Sequence, residues 1–389
     1  METVNPQDLV ATLGSGGYPA APWFLMLFKV LGFTLHAVPM NLWYAGVLLA
    51  MLLQAFGGEQ ARRWSARLLR QMPVIIAFGV NLGIVPLLFT QVTHYRVFYP
   101  ATILIAWPWL SIIALLILAY YGAYWVAHGL RGGETQLRGA RVLAGWLVAA
   151  LFIAIGFVFA NGFSLMTNLQ DWPAIWQRTQ VAGAVTGVAM NSGDPTLLPR
   201  FLMFFSLAFT TVAVHMVFDA GALARRESEV YRQSAARLAL PVHVAGLAGF
   251  AVFGSWYIFG VMPETSRSAL LAFPGVIFAV STALAPGAVA VALFTLRGRP
   301  VSFGAGVAVA AMQVLVLGLN AISRQIAQSA ELAPHLDITA EPVRWQWSPM
   351  VLFLVLFVAG LGVIAWLVRR AVLESRAMES QSNGSPGRG

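Results

Sequence analysis

Residues 23–56 read WFLMLFKVLGFTLHAVPMNLWYAGVLLAMLLQAF, a run in which Lys29 is the one charged side chain. A helix rises about 1.5 Å per residue and a bilayer core is about 30 Å thick, so the run suits one tilted membrane span and is too short for two with a turn. Eight further apolar runs follow, approximately at 72–93, 99–128, 140–165, 200–224, 240–262, 270–296, 301–323 and 347–368. The expected fold is therefore all-α, a polytopic membrane bundle of about nine helices. Composition agrees: 59% of residues are hydrophobic and 10% charged, against about 25% charged in a soluble domain. A soluble chain of this kind would leave large apolar patches in water.

An odd number of spans puts the termini on opposite sides, and the basic residues say which is which. One set of connections, with the C-terminal tail, holds seventeen arginines: Arg62, Arg63, Arg67 and Arg70; Arg131, Arg138 and Arg141; Arg225, Arg226, Arg232 and Arg237; Arg297 and Arg299; Arg369, Arg370, Arg376 and Arg388. The other set holds six, Arg96, Arg178, Arg200, Arg267, Arg324 and Arg344. The N-terminus is expected outside, in the periplasm of a bacterial inner membrane, and the C-terminus in the cytoplasm. The net charge of +9 thus reports topology, and no nucleic-acid partner is expected. The chain has no cysteine, which excludes disulfides, thiolate metal sites and covalent haem attachment.

Residues 1–374 read as a single transmembrane helical domain. The stretch METVNPQDLVATLGSGGYPAAPW lacks the basic start and compact apolar core of a cleavable signal, so the first span is expected to remain. Residues 375–389, ending ESQSNGSPGRG, read as a disordered cytoplasmic tail. The long connections at 166–199 and 324–346 face outside and would cap the bundle or meet a partner. Neither a phosphate-binding loop nor a zinc-protease or serine-hydrolase motif occurs.

Polar side chains at depth mark function in a helical membrane protein. Here they are Lys29 and His36 on the first span, His215 and Asp219 on the fifth and His243 near the start of the sixth, with His94 and His128 at span ends. No Glu falls inside any expected span, so a carboxylate relay for protons is not expected. Counting from Phe201, His215 lies roughly 20 Å deep; counting from Leu240 on the opposite side, His243 lies about 5 Å in. Two imidazoles at similar depth on antiparallel neighbours are the geometry of bis-histidine haem b ligation. Against that stands the plainer reading of each as a buried hydrogen-bonding residue. For Lys29 the plainer reading is a stem that carries its amine out to the headgroups; for His94 it is an interfacial side chain, and for His128 a solvated one.

The order of motifs along these spans resembles subunit I of the cytochrome bd quinol oxidases. Four stretches carry the likeness: FTLHAVPMNLWYAGVLLA with His36; Phe159-Ala160-Asn161-Gly162-Phe163; Asp194-Pro195 followed by Arg200-Phe201-Leu202-Met203; and Ser323-Arg324-Gln325. The resemblance implies nine spans, an outside N-terminus and haem ligation by His36. It also marks departures. Met203 stands where the family has a haem-ligating His, and the seventh span offers no Met opposite it. The family's carboxylates fall on Leu87 and Ala321, and its quinol-binding loop shrinks to a few residues around Pro263 to Arg267. An autonomous oxygen reductase is therefore not expected.

Two functions stay open. The first is a subunit of a respiratory electron-transport complex, an oxidoreductase component holding haem b through His36, with His215, His243, His94 or Met203 as further ligands. Arg200 and Arg324 would pair with the haem carboxylates or simply anchor helix ends. Such a subunit would pass electrons between quinone and a partner, other membrane subunits or a periplasmic cytochrome. The second is a haem-free anchor or scaffold of such a complex. A transporter, using Lys29 and the Gly/Pro-interrupted second and seventh spans, is the weaker third.

Overall fold

The computed structural model describes residues 17–224 and 227–383. Among the described residues nine helices are long and apolar enough to cross a membrane, as the apolar runs require, and the fold is an all-α polytopic bundle. The first span, Pro22–Phe56, is a single helix. Pro39 lies inside it and lacks an N–H to donate, and the turn just beyond, Leu42–Gly46, opens to π-helical pitch. The other spans are Glu59–Thr93, Ala106–Gly129, Ala140–Thr167, Leu197–Leu223, Glu229–Val261, Gly275–Thr295, Phe303–Leu332 and Trp347–Arg370.

Several boundaries differ from those expected, each for a local reason. The second span begins at Glu59 rather than at 72, because EQARRWSARLLRQM contains strong helix formers and no breaker, so its four arginines ride on helix instead of loop. The third run divides at Ile105 into a short helix, Tyr95–Leu104, and the span proper. The eighth helix continues through SRQIAQSAEL to Leu332, which places Glu331 on a membrane helix where no Glu was expected. The ninth helix runs on to Asn383, so the stretch expected to lack structure from 375 is helical that far. Residues 384–389 and residues 1–16 lie outside the described residues.

Packing is strongest between sequence neighbours: first along second, third along fourth, fifth along sixth and seventh along eighth. The fifth span is the most buried of the nine and forms the centre of the bundle, where its Val212, Ala213 and Met216 belong to the same buried core as Leu68, Leu69 and Met72 of the second. The first and second spans approach closely because two glycines leave room. A Cβ on Gly79 would lie 2.8 Å from the Trp43 ring, and one on Gly83 would lie 2.8 Å from Cε1 of His36. The ninth span is nearly all exposed; its Phe353 and Phe357 rest on Phe28, and Phe353 also meets Phe89.

At the end expected outside, hereafter the outer end, connecting segments cover the bundle. The short helix Trp172–Thr179 is pinned by Trp172 Nε1, which donates to the Leu165 carbonyl at 2.8 Å. Tyr18 N donates to the Pro342 carbonyl at 2.9 Å and Arg344 N to the Tyr18 carbonyl at 2.8 Å. These bonds tie the segment before the first span to the one before the ninth.

Candidate functional site

The histidines do not converge. His36 contacts Gly79 of the second span, with Nδ1 2.9 Å from the Gly79 carbonyl and its ring edge-on to Trp43. His215 faces the second span lower down: Nε2 lies 3.2 Å from Gln71 Oε1, and Trp64 stands edge-on beside the ring. His243 turns to the seventh span, where Nε2 donates to the Pro286 carbonyl at 2.9 Å. His215 and His243 thus bond to different helices, and the paired-imidazole site expected from depth is not assembled. Met203 packs against Gly254 of the sixth span, 3.5 Å from where a Cβ would sit, and no histidine is placed opposite it.

The outer end gathers most of the other candidates. Lys29 is 8% exposed; instead of reaching out to the headgroups it donates to Gln328 Oε1 at 2.7 Å and lies 3.4 Å from His94 Nδ1. His94, expected at the interface, is 2% exposed and also lies 2.5 Å from Thr93 Oγ1. Next to this group, the motif segments singled out in the sequence meet. Asn161 Oδ1 accepts from Asn191 N at 3.1 Å, Ser164 donates to Asp194, and Asp194 Oδ2 lies 3.7 Å from Arg200. Arg324 places its guanidinium carbon 4.4 Å from the centre of the Phe33 ring, 5.3 Å from Phe163 and 5.6 Å from Phe204. Arg200 and Arg324 are near enough to feel each other's charge.

Two further polar clusters form, of whose members the sequence had marked Asp219 alone. In the middle of the bundle Gln313 Nε2 donates to Thr210 and Thr211 at 2.9 and 3.0 Å, and Asn41 donates to Thr211 at 2.9 Å. At the end opposite the outer one Arg67 grips Asp219 with two bonds of 2.7 and 2.9 Å, while Gln71 and Tyr231 donate to the same carboxylate at 3.0 and 2.8 Å. The available signal was the spacing of Gln313, Asn320, Arg324 and Gln328, which recur on one helical face.

A b haem was expected, and the donor set can be tested against it. A haem-ligating imidazole commonly donates its second N–H to a backbone carbonyl, which fixes the tautomer and turns the other nitrogen to the metal. His36 has that arrangement through Gly79, and its Nε2 takes no partner among the described residues. The residues therefore fit one axial ligand. His215, His243 and His94 do not supply a second at the same point. Among the described residues no group of three or more His, Asp or Glu converges in a way that would hold a free metal ion. The chain matches no protein-family model, and no curated protein matches it.

Proposed function

We propose that the chain is an integral subunit of a respiratory electron-transport complex, similar to subunit I of the cytochrome bd quinol oxidases, with its N-terminus outside a bacterial inner membrane. The observation that carries the reading is His36, seated on Gly83 and oriented by the Gly79 carbonyl with Nε2 unpartnered. His36 would hold one b haem, which supplies a one-electron carrier between quinone and a partner at the outer face. Trp43 and the two glycines fix the ring's rotamer, and Gly79 keeps Nδ1 protonated.

A haem-free anchor is the second reading. It is favoured by the engagement of His215 with Gln71, of His243 with Pro286 and of Met203 with Gly254, all of which are packing roles.

The deciding measurement is a dithionite-reduced minus oxidised spectrum, with pyridine haemochrome quantification, of the purified chain and of His36→Ala. One haem b per chain, lost in the variant, is expected. A folded, colourless chain from haem-supplied cells would sink this reading and leave the anchor.

A further inference from the structure

At the outer end two cations, Lys29 and Arg324, have no carboxylate partner among the described residues. Asp194 and Glu331 both act on Arg200. Arg324 and Lys29 lie in mutual electrostatic range, yet Lys29 meets only neutral partners, Gln328 and His94. Around Arg324 the described residues supply three aromatic rings, with Tyr257 in electrostatic range, and none of them makes a hydrogen bond to it. Arg200 adds a buried terminal nitrogen that makes no hydrogen bond and faces Asp194 at 3.7 Å. A guanidinium offers five donors in a planar fork that matches an oxyanion, and leaving them unmet in a low-dielectric site is costly.

We propose that Arg324, with Arg200 and Lys29 beside it, forms a binding site for a compact phosphate-type oxyanion at the outer end of the bundle. The three phenylalanine rings close its apolar sides, so the occupant presents a small charged group to the open edge of the fork. The chemistry is that of the phosphodiester of a net-anionic lipid headgroup, uncompensated by a choline, or of free phosphate. Two features suit a lipid. Arg324 lies about 12 Å from the outer end of a 30-residue helix, itself about 45 Å long against a core of about 30 Å, which brings the guanidinium toward headgroup depth. A lateral groove of about 480 Å³ also runs between the first and eighth spans, lined by Val30, Ile322, Gln325, Ile326 and Ser329 together with Ala269. Val30 and Gln325 adjoin Lys29 and Arg324 in sequence, so an acyl chain in the groove would lie alongside the cationic seam.

The site does not rest on the haem reading, and the test keeps the two apart. The full chain in neutral detergent is titrated with inorganic phosphate, and separately placed in nanodiscs of phosphatidylcholine with or without phosphatidylglycerol; thermal midpoint is read and haem is quantified on each sample. Wild type is expected to gain stability with phosphatidylglycerol or with phosphate. The apparent affinity should fall tenfold or more in Arg324→Gln and in Lys29→Met, the second variant covering a failure of the first to fold. Arg178→Gln, at an exposed outer position, and His36→Ala should keep the response. A response in lipid-free detergent assigns free phosphate as the source, and one confined to phosphatidylglycerol assigns the lipid. Equal midpoints in every medium, an unchanged response in folded Arg324→Gln, or displacement of the anion on haem loading would overturn the proposal.

Discussion

The buried pair Arg67 and Asp219 shows what a single residue decides here. Asp219 is fully buried and takes bonds from Arg67, Gln71 and Tyr231, so removing the carboxylate takes away the acceptor that three side chains share and leaves Arg67 only Glu227, 3.3 Å away. Asp219→Ala is expected to destabilise the chain by about 3–5 kcal/mol, and replacing both members with apolar residues of similar volume to recover much of that; chemical denaturation in detergent measures both. Sequence made Asp219 conspicuous as a carboxylate inside an apolar run. It could not name Arg67, which is distant in the chain and joined only by packing of the second span on the fifth. The histidines teach the same lesson in another coordinate. Helical rise gave the depths of His215 and His243, but the direction in which each ring points depends on which neighbour fills the facing groove, and Gln71 and Pro286 lie on different helices. His36 was singled out by its motif; its seat was not legible, because nothing in the sequence pairs Gly83 with it.

Elements were legible in their middles and less so at their ends. Apolar runs mark where lipid is, whereas a helix stops where propensity and capping say so, and EQARRWSARLLR and SRQIAQSAEL extend the second and eighth helices well into polar sequence. The outer clamp between Tyr18 and residues 342–344 is an element that the sequence did not announce at all. It contains Glu341, 6% exposed, whose carboxyl is pushed above its ordinary value by burial, with Arg96 and Tyr95 opposing. The folded clamp therefore holds the proton more tightly than the unfolded chain does. The resulting stability is present in acid and is lost as pH rises from the ordinary carboxyl range through the raised value. Hydrogen exchange of the Tyr18 and Arg344 amides should accelerate across that window, after correction for the intrinsic pH dependence of exchange, and Glu341→Gln should flatten the excess. An unchanged excess in the variant would assign the effect to another group.

The whole-molecule plan followed from counting apolar runs, since a membrane leaves helices few alternatives; what the count could not show is how unequally the spans are held. The fifth is enclosed, and the ninth is nearly all exposed, touching the body through Phe353 and Phe357 toward one end and at the Asp219–Leu223 turn toward the other. A chain ending after Trp345 is expected to keep a monodisperse profile in detergent and a thermal midpoint within a few degrees of the full chain, because few buried contacts are lost; collapse into aggregate would show that the last span braces the rest. The aromatic seam also joins the first span to the ninth. Phe28 and Phe89 leave the ribosome well before Phe353, so until the ninth span is made they face lipid on the flank that it later covers. Closure of this flank waits on a late segment, and until that segment arrives the nascent protein presents an aromatic flank beside its first span to whatever else is being inserted nearby.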